Sequence, residues 1–505
     1  MPNCSMYAPP RSARGRYHNS MDIYFSDYFE VERKWIHKHG AFNVSLVADL
    51  PLFIDPFLLF NSSKPKYKQL HRDIIEYLRF LRDKSSSRNL DPDLIAAWYR
   101  FPEVHQTWLG FSASGNKGRG LGSDFAQALH ENLNTLFHNF GQEQITKGSH
   151  LEKLCLIKDG VGRDNISDFT TNLVKGFLLD YSQSFSRKYI APTKLRSVPV
   201  RKVRFNYQTE SWQGGIFQLP WFRDDYVLLV PKDMLTKDDT WINKSDLVSE
   251  FENVPESIPD NELRAQINNY FRSVLPKEPK KEDKERAVHQ TISKFPQLVD
   301  YYIRRKEEKG QEAVSISSSK VAFSERLYVE QFSQLSSLLA STTDFYRVAG
   351  KTHSEARQRA EFLKDVIENK GGHRIFYVNG EPIERELDLQ ILYRLTWCGT
   401  RSDVSTEVND GRGPADYKIS RGAHDKTIIE FKLASNPQLR RNLERQSAIY
   451  QKASDAKHSL KVIIYFSKSE LDRVSRILKE LKLDDDPDVI LIDARKDNKP
   501  SGSKA

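Results

Sequence analysis

The chain has 505 residues, 38% hydrophobic and 29% charged, with 77 lysines and arginines against 68 acids and a formal net charge of +9. That length can bury more than one sizeable core, which implies two or three domains, and the modest basic excess permits attraction to nucleic acid without requiring it. A leader-like start and any apolar run of membrane-spanning length are missing, as is an H-E-x-x-H motif, and Cys4, Cys155 and Cys398 are too sparse for a zinc or disulfide framework; a cytoplasmic protein without membrane contacts or zinc chemistry is expected.

Residues 1–21 are polar and rich in turn formers, and read as a disordered extension or as sequence upstream of a true start at Met21. The fold is expected to begin near Asp22, with a sensing or interaction region over 22–270. In QLHRDIIEYLRFLRD, Leu70, Ile74, Ile75, Leu78 and Leu81 recur at helical spacing, and Ala126, Leu129, Leu133 and Phe137 do so in the next helix. Just before that second helix, GFSASGNKGRGLG offers Ser112, Ser114 and Lys117 to an anion. It lacks the G-K-[ST] ending of a Walker loop, so a structural or regulatory loop is preferred. Asp164 and Asp168 stand four apart, a spacing that fits a metal pair or, preferably, a helix cap at Asp168. VRFNYQTE, GIFQLPW and DYVLLVP suggest strands. Their Trp212, Trp221, Phe222, Arg223 and Tyr226 fit a core or domain interface better than a nucleic-acid stacking platform.

A linker and helical arm is expected over 271–374. It opens on LPKEPKKEDKERAV, which is either a charged linker or an exposed helix entry. Residues 375–495 then alternate in a pattern that implies a compact mixed α/β domain, followed by a disordered tail over 496–505. ERELDLQILYRLTW is a helix with Leu387, Ile391, Leu392 and Leu395 on its apolar stripe, and DVSTEVND, DYKIS and TIIEFKL are short strands. NPQLRRNLERQSAIYQKASD is a helix rich in Arg440, Arg441, Arg445 and Lys452; the strand SLKVIIYF, the helix SELDRVSRILKELKL and the strand DVILI close the domain.

The chemistry gathers in the hairpin GPADYKIS…TIIEFKLA. Alternation puts Asp416, Lys418 and Ser420 on one face of the first strand, and Ile428, Glu430 and Lys432 on one face of the second. An antiparallel register pairing Asp416 with Glu430 also pairs Lys418 with Ile428 and Ser420 with Lys426, so both acids emerge on one side. Two carboxylates with water and backbone oxygens suit a hard cation such as Mg²⁺, and an ammonium at Lys432 suits a water nucleophile or a charged transition state. Glu-x-Lys alone is common in this chain, but here it interrupts an apolar strand, where unpaired charge is costly. A salt-bridged surface strand is the ordinary alternative. Glu386 or Glu384 on the preceding helix and Glu407 on the first strand are further candidate acids, each with a structural alternative. Gln446 and Tyr450, four apart on one helical face, are positioned to align a nucleic-acid backbone, or serve as plain helix surface.

The constellation of Glu386, G-P-A-D ending at Asp416, E-F-K at 430–432 and Q-S-A-I-Y at 446–450 resembles the PD-(D/E)xK nuclease superfamily, with Ala415 inserted between Pro414 and Asp416. The resemblance covers about the last quarter of the chain. It implies a restriction-endonuclease-like C-terminal α/β domain beside a larger mixed helical and α+β N-terminal region. It also implies Mg²⁺, or Mn²⁺ as a substitute, held by Asp416, Glu430 and Glu386, a catalytic Lys432, and substrate contacts from Gln446, Tyr450, Arg440, Arg441 and Arg445. YFSDYFEV, VADLPLFIDPFLLF, GFSASGNKGRGLG and DGVGRDNISDFTTNLVKGFLLDY resemble an uncharacterised bacterial group often joined to such nucleases, in architectures used in defence against phage or plasmids. The expectation is therefore an endonuclease or exonuclease acting on nucleic acid, DNA before RNA, alone, as a homo-oligomer or with a protein partner. The rival expectation is a non-catalytic nucleic-acid-binding or assembly subunit of the same fold.

Overall fold

The computed structural model describes residues 23–85, 90–110, 126, 129–130, 133, 140–157, 161–397, 403–406, 417–421, 425–444 and 458–499. Their architecture is mixed helix and sheet throughout. Among them no helix is long and apolar enough to cross a membrane.

Five strands make the C-terminal sheet, in the order Val489–Asp493, His458–Tyr465, Asp425–Leu433, Tyr417–Arg421, Asp403–Thr406. The last three pair antiparallel, as short connections allow, whereas His458–Tyr465 and Val489–Asp493 join in parallel. Parallel pairing needs a crossover. One is supplied by the helix Lys468–Leu481, which Ser467 caps by accepting from the Glu470 amide at 3.2 Å.

The two sheet faces separate by the period-two rule. Ile429, Phe431, Leu433, Leu460, Val462 and Ile464 belong to the main core, under the helices Thr352–Asn369 and Glu386–Thr396. The Tyr393 and Phe431 rings lie 3.8 Å apart between centroids. On the opposite face Ile463 and Tyr465 pack with Leu439, Leu443, Val474, Ile477 and Leu478. The helix Thr352–Asn369 sits in the arm on the sequence reading, yet it spans this sheet. At one end Thr352 Oγ1 bonds Asp425 at 2.7 Å and Thr427 at 2.8 Å, and at the other Glu368 accepts from the Asp493 amide at 2.8 Å. Helical periodicity reveals an apolar stripe but not which surface covers it.

In the N-terminal half, Leu70, Ile74, Ile75, Leu78 and Leu81 are buried along the helix Pro65–Ser85, on the expected stripe. Ala126, Leu129 and Leu133 are helical and buried, while Phe137 and the loop carrying Ser112, Ser114 and Lys117 lie outside the described residues. The helix Arg163–Tyr189 packs on an antiparallel hairpin of Leu195–Asn206 and Ser211–Phe222. Phe222 and Tyr226 are buried, and Arg196 lies over the Trp221 ring at 4.4 Å, which is core and interface use of these aromatics.

Asp168 is not a cap. Its helix starts at Arg163, more than one turn earlier, so Asp168 lies within the helix, half-buried, and not at its start. Burial, then Glu103, Asp164 and Asp49, push its carboxyl up to about 8 from an ordinary 3.8. A raised carboxyl keeps its proton in the fold but loses it in the unfolded chain, so its contribution is fully present below about pH 4 and is lost as pH rises toward 8. The slope is at most about 1.4 kcal/mol per pH unit. Asp168→Asn is therefore expected to stabilise the fold at pH 8 and to change little at pH 4.5, as read by urea denaturation at the two pH values.

The arm starts without a long linker. The helix Asn261–Val274 runs through the expected boundary at 270, and Lys281–Lys294 absorbs most of the charged stretch, which is thus a helix entry. Beyond Leu298–Glu308, a continuous rod runs from Gly310–Ser324 through a π-helical segment, Glu325–Gln331, into Phe332–Thr342. The wider π turn leaves backbone groups for other partners, and the Tyr328 carbonyl accepts from the Tyr24 hydroxyl.

Candidate functional site

The strand Asp425–Leu433 is the centre of the sheet, and its register against Tyr417–Arg421 pairs Lys418 with Ile428 and Ser420 with Lys426, as alternation requires. Glu430 and Lys432 therefore share a face with Lys418. Glu430 is 0% exposed and Lys432 is 3% exposed. Mid-sheet burial rules out the reading of an ordinary surface strand. Two ionisable side chains two residues apart on one buried face carry a large desolvation penalty unless other charge meets them.

Glu386 brings that charge. It opens the helix Glu386–Thr396 and reaches over the end of the central strand, where Oε1 accepts from the Leu433 amide at 3.2 Å and from Asn436 Nδ2 at 2.7 Å. Its Oε2 lies 3.9 Å from Lys432 Nζ. Asn436 is held in turn because Arg473 donates to its carbonyl at 2.8 Å and to that of Ala434 at 3.0 Å. Glu384, the other acid considered on this segment, is exposed. The structure thus brings Glu386 and Lys432 together and sets Glu430 on the same strand face as Lys432.

A residue the sequence reading passed over is Lys461. The parallel register sets it beside Glu430, and it is buried. Its signal is the one that singles out Glu430, a charge inside an apolar run, here SLKVIIYF, but only the long-range pairing shows which residue it stands beside.

Arg440, its side chain largely exposed, pairs with Glu444 at 3.2 Å and with Glu480 of the crossover helix at 2.5 Å. Arg441 is exposed. Pro414, Asp416, Glu407, Arg445, Gln446, Tyr450 and Lys452 lie outside the described residues. Among the described residues no group of three or more His, Cys, Asp or Glu side chains is placed to hold a metal ion.

The helix bearing Glu386 is anchored to the N-terminal half by a buried ion pair. Asp388 Oδ1 receives Lys237 Nζ at 2.9 Å, and also the Tyr328 hydroxyl, while Lys237 lies 4.3 Å from the Phe323 ring centroid. Next to it Arg385 pairs with Asp238.

Two family models match the chain, each described as a domain of unknown function: DUF8370 over residues 30–243 and DUF8371 over residues 352–468. The second begins at Thr352, where the helix that spans the sheet begins. No curated protein and no solved structure matches the chain.

Proposed function

We propose that the C-terminal unit is a metal-dependent nuclease with a restriction-endonuclease-like core, hydrolysing nucleic-acid phosphodiesters, DNA before RNA. The observation that carries this reading is the burial of Glu430 and Lys432 together on one face of the central strand, with Glu386 brought to the lysine. The strand order, three antiparallel strands followed by parallel ones behind a helix that opens on an acid, is in keeping with it.

The oxygens fit a hard cation. Glu430 supplies a carboxylate, Asp416 would stand opposite it if the described register continues by one residue, and Glu386 has Oε2 to give, since Oε1 is held by Leu433 and Asn436. Bound Mg²⁺ or Mn²⁺ would supply Lewis-acid polarisation of the scissile phosphate and a lowered pKa for its water. Lys432 holds positive charge at the same face, where it orients the attacking water or meets charge developing on phosphoryl oxygens. Glu386 positions that ammonium. Arg441, exposed on the following helix, is left for the phosphate backbone. The N-terminal half is read as the sensing or partner-binding region of a defence nuclease against phage or plasmids, working alone, as a homo-oligomer or with a protein partner.

The test is a cleavage panel on the full chain, with single-stranded DNA, duplex DNA and RNA, each in Mg²⁺, Mn²⁺ and chelator. Product that requires the metal supports the nuclease. Saturable binding of nucleic acid with no product under any metal supports instead a binding or assembly subunit built on the same fold.

A further inference from the structure

Far from the sheet in sequence, the N-terminal half holds a cavity of ≈ 800 Å³ between the helix Pro65–Ser85 and residues 141–149. That volume is within the range of small-molecule sites. Lys68, Arg72, Arg79 and Lys147 line it, against the two acids Glu76 and Glu143. None of the four cations makes an ion pair among the described residues. Among the described residues Arg72 donates to the Gln69 amide oxygen, and Arg79 donates to the Gly141 carbonyl at 3.2 Å.

The walls are built, not incidental. Gly141 takes φ +84°, a left-handed conformation that glycine adopts without strain, and a Cβ there would collide with the Arg79 guanidinium. Glu143 Oε2 closes the loop on itself by accepting from the Gly141 amide and the Ser149 hydroxyl, each at 2.7 Å. From the arm, Glu307 accepts from the amides of Lys147 at 2.7 Å and Gly148 at 3.1 Å and bonds His150 at 2.9 Å. The loop is therefore held before any ligand arrives.

Three polar atoms in this wall are buried and have no hydrogen-bond partner among the described residues: His71 Nε2, Thr146 Oγ1 and Glu143 Oε1. His71 is 7% exposed. Such groups are expected to find partners. An anion answers the four cations, whereas the Glu143 oxygen accepts, so a ligand complementary to this wall also carries a donor such as a hydroxyl or amine. Phe60 and Ile75 add an apolar surface. We propose that this cavity binds a nucleotide-sized phosphate ester, its phosphate on Arg72, Arg79, Lys68 and Lys147 and its hydroxyl or amino group on Glu143.

The site is separate from the sheet and is read by binding alone, so its failure and that of the nuclease reading are distinguishable. Isothermal titration of the full chain with ATP, AMP and ribose 5-phosphate is expected to give saturable binding, and adenosine none. Arg72→Ala with Lys147→Ala is expected to weaken it by about tenfold or more, since charge-assisted bonds to phosphate are lost, with an unchanged melting temperature. Thr146→Val, a milder change in the same wall, is expected to weaken binding without loss of fold. No saturable binding by any of the three esters, equal affinity in the substituted chains, or binding of oligonucleotides alone would each overturn the proposal.

Discussion

Glu430→Gln is expected to lower metal-dependent cleavage by about 10³-fold or more, while the protein still folds and gives a single cooperative melt. Glutamine keeps the size and planar shape of the side chain but removes its charge, so packing at this fully buried position is retained. A structural role predicts the reverse pattern, a fall in stability with cleavage preserved. Lys432→Met is the companion: its neighbour Glu386 keeps its bonds from the Leu433 amide and Asn436, so the strand end stays in place while the ammonium is lost. Steady-state rates and thermal melts on the same preparations separate the two roles.

Asp388→Ala is expected to destabilise the fold by about 4 kcal/mol, because Lys237 is then left buried without its counter-charge. The pair is nearly sealed, with side-chain exposures of 4% for Lys237 and 2% for Asp388. Tyr328 loses its acceptor in the same step. Urea denaturation measures the loss, and the double substitution Lys237→Met with Asp388→Leu is expected to recover most of it, since an apolar pair of similar volume replaces a buried ion pair at little cost. A loss under about 0.5 kcal/mol in the single variant would mean that this pair is not a strong tie between the two halves. Asp388 is two residues from Glu386 on one short helix, so cleavage is expected to fall along with stability.

The hairpin was legible because its information is local. Alternation in DYKIS and TIIEFKL determines which side chains share a face, and the partners of Lys418 and Ser420 follow from one choice of register. Glu386 was legible as a candidate since it opens a helix just before the strands, although its bonds to Leu433 and Asn436 were not. What escaped was long-range. Lys461 is set beside Glu430 only by a parallel strand pairing, Lys237 finds Asp388 across 151 residues, and the cavity wall joins residues 60–79 to 141–149 with no motif in either segment. Asp168 misled for a local reason: an acid ahead of a helical stripe looks like a cap, but the helix had begun at Arg163 under the glycine that precedes it.

The most direct measurement of the central claim is anomalous diffraction from crystals of the full chain soaked in Mn²⁺, compared with Glu430→Gln crystals treated identically. The account predicts a peak at oxygen-coordination distance, about 2.2 Å, from the Glu430 carboxylate in the parent and its loss in the variant. A parent that cleaves in Mn²⁺ yet shows its peak elsewhere, with Glu430 facing only protein, would contradict it.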